Sequence, residues 1–470
     1  MSDFISVVDA NDSTANFVEP TIFVEKFGRI ASASITNAPS TILVGKNNTG
    51  KSYVATLLWA LRDFVNTIAP DRGGTYIDVP EWFSEYCRSA SNSKRPRPLE
   101  VSGERISDEI NKWLAKHKDG IAKNILSLDG ATIGSLRIEL GGTIWLRPWH
   151  RKTAILRDLK SFADRDITSW MISWNKTIDT EHEDRFPAML RTSATDENYD
   201  AIILYSMIVQ KFISKSIGGM ANSPLYVPAA RTGLMLALSS IVNSSIENFG
   251  VGDQKVSQGR FTLPTIRFIQ RIARDRYQVV KRDNKIVKFL QENILRGTVT
   301  QDEQNRALFS YTPDNSETVL PLYVTSSMVS ELAPLLAALQ QERFSNGIVF
   351  EEPEAHLHLS AQRFMARAIA KIVSDGTPVT ITTHSDTFIQ QINLLLQLNK
   401  HPNRAALMKR YGYAEDELLD ASNVRAYEFV STPSGTTVTE VEKTSAGIVV
   451  QSINDTLYSL AEEVFAVESD

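Results

Sequence analysis

Apolar positions along the chain change period several times, and each change marks a predicted element. Thr21 to Val24, Ala31 to Ile35 and Thr41 to Val44 are short β-rich runs that predict strands. Directly after the third, Val54, Leu57, Leu58, Leu61, Phe64, Val65 and Ile68 recur at helical spacing until Pro70, Gly73 and Gly74 end the pattern. Between the third strand and that helix lies the glycine-containing run GKNNTGKS. From Asp71 to Ser216 the pattern is mixed, with a loop-like SASNSKRPRP and a hairpin predicted from Ala131–Leu140 and Thr143–Leu146 around Gly141 and Gly142. Leu225 to Val227 is a further strand, followed by PAARTG and a helical stretch from Thr265 to Leu295. The densest block follows: a strand around Leu320 to Val324, then TSSMVSELAPLLAAL, the strand GIVF running into EEPEAHLH, a helix, and PVTITT running into HSD. Strands without polar alternation, alternating with helices, predict a buried α/β sheet. The tail predicts a hairpin, Val424–Val430 with Thr436–Val441, and a final amphipathic helix.

Composition narrows the class only modestly. A 42% hydrophobic and 22% charged chain of 470 residues is of ordinary globular type, and its length suits one composite domain with insertions. A net charge of -5 gives no global attraction to nucleic acid, so any such contact needs a local basic surface. Arg267, Arg271, Arg274, Lys281, Arg282, Lys285 and Lys288 form one candidate, and Lys94-Arg95-Pro96-Arg97 a smaller one. The single cysteine, Cys87, excludes an internal disulfide; with no apolar run of membrane-spanning length and an acidic N-terminus, the expected location is the cytoplasm.

Gly45-Lys46-Asn47-Asn48-Thr49-Gly50-Lys51-Ser52 fits G-x-x-x-x-G-K-[ST] between a strand and a helix. Glycines permit the tight turn that aims successive N–H groups at phosphate oxygens, and the helix N-terminus adds partial positive charge. Lys51 is expected at the β- and γ-phosphates and Ser52 on Mg²⁺. Glu351 and Glu352, adjacent at the end of an apolar strand, are expected to divide the work: by order, Glu351 to the metal and Glu352 to the attacking water. His384 follows a strand and is placed to meet the γ-phosphate if that strand neighbours the acidic one. Ser326 and Ser327 precede a helix that Pro334, read as a first-turn residue, predicts to begin near Ser330. Hydroxyls and free N–H groups at such an end suit a γ-phosphate.

Those four elements in that order resemble the ABC-type ATPase head of SMC-like, RecF-like and OLD-like proteins. EEPEAHLH, ITTHSD, SSMVSEL and YVPAARTG are most similar to OLD-like ATPases of bacterial defence operons such as PARIS, Septu and Gabija. The resemblance implies an α/β head with a mixed and parallel sheet, an antiparallel β-lobe and a helical insertion. It divides the chain into residues 1–70, 71–216, 217–319, 320–400 and 401–470. It implies ATP with Mg²⁺ as ligands and a homodimer or higher oligomer in which Ser326 or Ser327 caps the nucleotide on the other chain's Lys51. Only about 70 residues follow Lys400, too few for a Toprim nuclease. The implied partner is therefore a separately encoded effector, a nuclease, under a phage-derived trigger, with no membrane. Met328 stands where a glycine often follows the signature serine, and Glu351 where Asp is commoner.

Other readings stay open at this stage. The basic run from Arg267 to Lys288 is either a DNA footprint of a repair or chromosome-maintenance clamp or a solvated face. His356 and His358 with Glu351, Glu354 and His384 form a rival metal-hydrolase set without helical H-E-x-x-H spacing. His384-Ser385-Asp386 as a triad is disfavoured because sequence neighbours cannot take the mutual geometry. Arg231 in PAARTG either faces nucleotide or partner, or holds its loop.

Overall fold

A computed structural model describes residues 17–64, 77–91, 93, 97–150, 168–173, 190–191, 197–214, 224–238, 261–273, 284–302, 308–341 and 347–469. The chain forms two compact units, one from Met1–Phe23, Leu61–Lys118 and Ser135–Ser223, the other from Val24–Ala60, Asp119–Gly134 and Pro224–Asp470. The fold is mixed α/β, with a large sheet of both parallel and antiparallel strands.

The second unit is built on seven strands of that sheet: β1 (Ile30–Thr36), β2 (Ser40–Gly45), β3 (Leu225–Val227), β4 (Ile348–Glu351), β5 (Val379–Thr383), β6 (Val424–Thr432) and β7 (Gly435–Glu440). Across the sheet they run β1-β7-β6-β2-β5-β4-β3. From β6 to β3 every neighbouring pair is parallel, while β6 and β7 form an antiparallel hairpin. β2, β4 and β5 are buried at every position, which is why they read as continuous apolar or threonine-rich runs. The predicted tail hairpin exists, and β6 joins the sheet directly beside β2. Helices Ser327–Gln341, Leu359–Ser374 and Asp386–Lys400 contribute Leu332, Leu336, Met365, Ile369, Phe388 and Ile392 to one core cluster with the strands. His358 caps the second helix by accepting from the Ser360 N–H, and Ser385 caps the third by accepting from Phe388.

Several sequence expectations are corrected. The helix predicted to begin near Ser330 begins at Ser327, because the Ser326 carbonyl already accepts the N–H groups of Val329 and Ser330. Pro334 therefore lies in the helix interior, where its missing N–H leaves the Ser330 carbonyl without an α-helical donor. Leu320–Val324 is a two-residue strand, Leu320–Pro321, followed by a 3₁₀ turn, Leu322–Val324. The stretch Thr265–Leu295 comprises helices Leu263–Ala273 and Lys285–Leu290 and a π turn, Gln291–Leu295; Arg274, Lys281 and Arg282 lie outside the described residues.

In the first unit, strand Thr143–His150 pairs with Leu99–Ser102 and Thr168–Ser173 within a four-stranded antiparallel sheet. It does not pair with Ile133–Gly141, so the two glycines divert the chain between sheets instead of closing the predicted hairpin. Cys87, the chain's one cysteine, is buried. Of the Lys94–Arg97 cluster, only Arg97 lies among the described residues. No helix among the described residues is long and apolar enough to cross a membrane.

Candidate functional site

The C-terminal ends of β2, β5, β4 and β3 lie side by side, the position where ligands bind in open α/β sheets. β2 ends at Gly45, whose φ of 153° and position against β6 leave no room for a side chain: a Cβ there would lie 2.7 Å from the Phe429 carbonyl oxygen. Asn48 (φ 63°) and Gly50 (φ 96°) complete the loop in left-handed conformations, and the Thr49 hydroxyl donates to the Lys46 carbonyl at 2.9 Å. Lys46, Asn47 and Asn48 are exposed, whereas Thr49 is buried. Lys51 opens helix Lys51–Arg62, and its ammonium donates to the carbonyls of Gly45 (2.8 Å) and Lys46 (2.9 Å), curling back over the loop. Burial pushes its pKa down, opposed by Glu352, Glu354 and Glu351. The loop and the acidic pair therefore meet.

Glu351 is the last residue of β4 and is 7% exposed. The Ala229 N–H donates to its Oε2 at 3.2 Å, and the hydroxyls of Ser52 and Tyr226 face the same carboxylate. Burial, the largest influence, raises its pKa, while those three contacts lower it. Its Oε1 is buried with no hydrogen-bond partner. A carboxylate oxygen left free beside a serine hydroxyl and a phosphate loop fits a hard divalent cation that keeps most of its ligands as water and phosphate. No set of three or more His, Cys, Asp or Glu suited to a metal occurs among the described residues, which removes the rival hydrolase cluster. His358 is instead a helix cap, and exposed His356 lies 3.7 Å from Glu331.

Glu352 leaves the strand with φ 44°, so a left-handed turn sets its direction. Its N–H is shared between the Thr382 carbonyl (2.9 Å) and hydroxyl (3.2 Å). Its partly exposed carboxylate lies 3.9 Å from Nδ1 of His384. β5 does neighbour β4, pairing Glu351 with Thr382, and on its other side it pairs Thr383 with Val44. His384 thus stands between the loop and the acids. Glu354, 5% exposed, sets that position by accepting from the Thr383 hydroxyl (2.7 Å) and the His384 N–H (3.1 Å).

Arg231 turns out to be a residue of the interior, 0% exposed, which excludes its facing a nucleotide or a partner chain. Its guanidinium donates to the carbonyls of Pro228 (3.0 Å), Glu351 (2.8 Å) and Glu352 (3.0 Å), and pairs at 2.5 Å with Glu331. Glu331, 1% exposed, also accepts from the Thr232 hydroxyl at 2.6 Å. One buried ion pair therefore joins the backbone of the acidic turn to the helix that starts at Ser327. Ser326 and Ser327 are exposed at that helix's start, without an assigned contact to the loop or the acids. Sequence reading missed Tyr226, Ala229 and Glu331 as site residues, and named Glu354 only in the rival metal-hydrolase set.

A strand, a glycine-containing loop and a helix thus stand on the same mixed α/β sheet as a strand that ends in paired acids. Residues 254–389 match the family described as AAA ATPase domain, a stretch that holds Ser326, Ser327, Glu351, Glu352 and His384 but not the loop at Gly45–Ser52. Among curated proteins, none matches the sequence. Similar solved structures include an Smc head bound to the C-winged helix domain of ScpA (12% identity, 90% of this chain and 97% of that one, TM-score 0.34). Others are the SMC head domain from Thermotoga maritima (11%, 90% and 98%, 0.31) and the Smc head with an extended coiled coil bound to the C-terminal domain of ScpA derived from Pyrococcus furiosus (12%, 95% and 99%, 0.32). With TM-scores below 0.5 these are distant likenesses.

Proposed function

We propose that the chain binds ATP with Mg²⁺ and hydrolyses it. The observation that carries this reading is the convergence of Lys51, Ser52, Glu351 and Glu352 from distant parts of the sequence onto the ends of the two strands that flank β5. The loop amides and Lys51 bind the triphosphate; Ser52 and Glu351 hold the cation, which when bound neutralises charge on the phosphate oxygens. Glu352, partly exposed and aimed by its left-handed turn, orients and deprotonates the attacking water. His384, beside Glu352, contacts the γ-phosphate and registers its presence.

Two such heads clasp two nucleotides, Ser326 or Ser327 of one capping the γ-phosphate on the other; both serines lie exposed at a helix start, as that role requires. On the resemblance of EEPEAHLH, ITTHSD and SSMVSEL, the assembly senses a phage-derived trigger and controls a separately encoded nuclease in bacterial defence. The deciding experiment is Glu352→Gln: ATP binding is retained, turnover falls by roughly 10²-fold or more, and the ATP-bound dimer accumulates in sedimentation velocity. Turnover at the wild-type rate removes Glu352 from the role assigned. Purification of the complex expressed from its own operon identifies the effector.

A further inference from the structure

Helices Leu359–Ser374, Asp386–Lys400 and Arg404–Tyr411 border a cleft of ≈ 530 Å³ on the second unit. Small-molecule sites span roughly 300–1,000 Å³ and combine apolar walls with a few fixed polar groups. Here the walls are Phe364, Leu394, Leu398, Leu407 and Tyr411, of which Leu394 is 39% exposed and Tyr411 58%. Three of the polar groups, Arg363, Gln391 and Tyr413, are wired in one direction. Arg363 donates from Nε to Gln391 Oε1 at 2.8 Å and from Nη2 to the Tyr413 hydroxyl at 3.3 Å. Gln391 Nε2 donates to that same hydroxyl at 3.2 Å.

A guanidinium can only donate, so it fixes the buried Gln391 amide with its oxygen toward Arg363 and its nitrogen toward Tyr413. The Tyr413 oxygen therefore accepts twice, and its own proton is left to donate. Two accepted N–H groups polarise that O–H and make it a stronger donor. Among the described residues nothing accepts this proton and no carboxylate pairs with Arg363, whereas the neighbouring Arg367 is met by Glu417 at 2.9 Å. No Asp or Glu is among the described residues that line the cleft. A hydroxyl proton beside an unanswered guanidinium, on an apolar wall, matches an anion carried on an apolar body. A neutral body of the same shape leaves Arg363 unanswered, and a cationic one is repelled by it.

We propose that this cleft binds a small organic acid, whose apolar body lies against Leu394, Leu398 and Tyr411 and whose carboxylate accepts from the Tyr413 hydroxyl and Arg363. The proposal is independent of the nucleotide site. It is tested on the full-length protein by calorimetry with octanoate, octanol and octylamine, three probes that share one body and differ in charge. Octanoate binds at least about tenfold more tightly than either of the others. Tyr413→Phe, which keeps the ring and deletes the donor, and Arg363→Gln each weaken octanoate at least about fivefold. Both variants leave octanol binding, ATP binding and the sedimentation coefficient as in the wild type, and Leu394→Asp abolishes octanoate binding. Equal binding of the three probes, absence of octanoate binding, or octanoate binding that survives all three substitutions overturns the proposal. Binding of a peptide that ends in a phenylalanine carboxylate, with none of octanoate, also overturns it and assigns the cleft to a polypeptide tail.

Discussion

The loop half of the candidate site, Gly45–Ser52, takes much of its shape from near neighbours in sequence, with Lys51 folding onto carbonyls five and six residues back. The carboxylate half takes its shape from residues as far as 121 positions away, through a fully buried arginine. The first half is largely a local conformation, with Gly45 seated against β6; the second is a tertiary assembly whose parts are held by buried charge. The difference separates affinity, which should reside mainly in the loop, from alignment, which should reside mainly in the interior.

Arg231→Ala should be the most damaging substitution. It strands Glu331 as a buried charge and removes the donor from three carbonyls, a loss of about 3–5 kcal/mol measurable by denaturant unfolding. If unfolding is unchanged, the acidic half does not depend on its interior anchor. Lys51→Ala should do the reverse, leaving unfolding within about 1 kcal/mol of wild type while weakening ATP binding by roughly 10- to 100-fold in calorimetry, the worth of a charge-assisted contact. Glu354→Gln is intermediate. It keeps an acceptor for the Thr383 hydroxyl or the His384 N–H but removes the charge both share, and should cost about 1–2 kcal/mol and lower turnover more than ATP affinity.

The smallest effect concerns pH. Burial holds Glu351 above its ordinary pKa, so the folded state favours its protonated form more than the unfolded state does. The stabilisation is full below the ordinary carboxylate pKa and is lost as pH rises through the raised value. Without nucleotide, Glu351→Gln should therefore flatten the fall in Tm with rising pH, and Mg²⁺ with ATP should flatten it in the wild type as well. Identical Tm profiles for wild type and variant would show that the carboxylate is not under strain.

What was legible in the sequence follows the same division. Strands β1, β2, β4 and β5, and the approach of Gly45–Ser52 to Glu351, Glu352 and His384, could be read because each depends on short runs with their own period or punctuation. The start of the signature helix could not, since Pro334 was weighed by local propensity while tertiary packing around Leu332 and Leu336 tolerates it inside the helix. Gly141-Gly142 read as a hairpin turn for a similar reason: two flexible residues say that the chain bends, not which strand it meets next. Arg231 left a motif but no direction. Burial of a guanidinium against Glu331 is settled by a contact 100 residues apart.

The threonines of β5 carry a consequence for how such a site changes over time. Thr382 latches Glu352 and Thr383 latches Glu354, one on each face of a strand that valine would build equally well. Mutational drift from hydroxyl to methyl at these positions would therefore pass unnoticed by any screen for folding. It would surface only as a weaker hold on the acids, with Glu352 keeping the Thr382 carbonyl and Glu354 losing the Thr383 hydroxyl, so related chains could retain the scaffold while loosening the acidic turn.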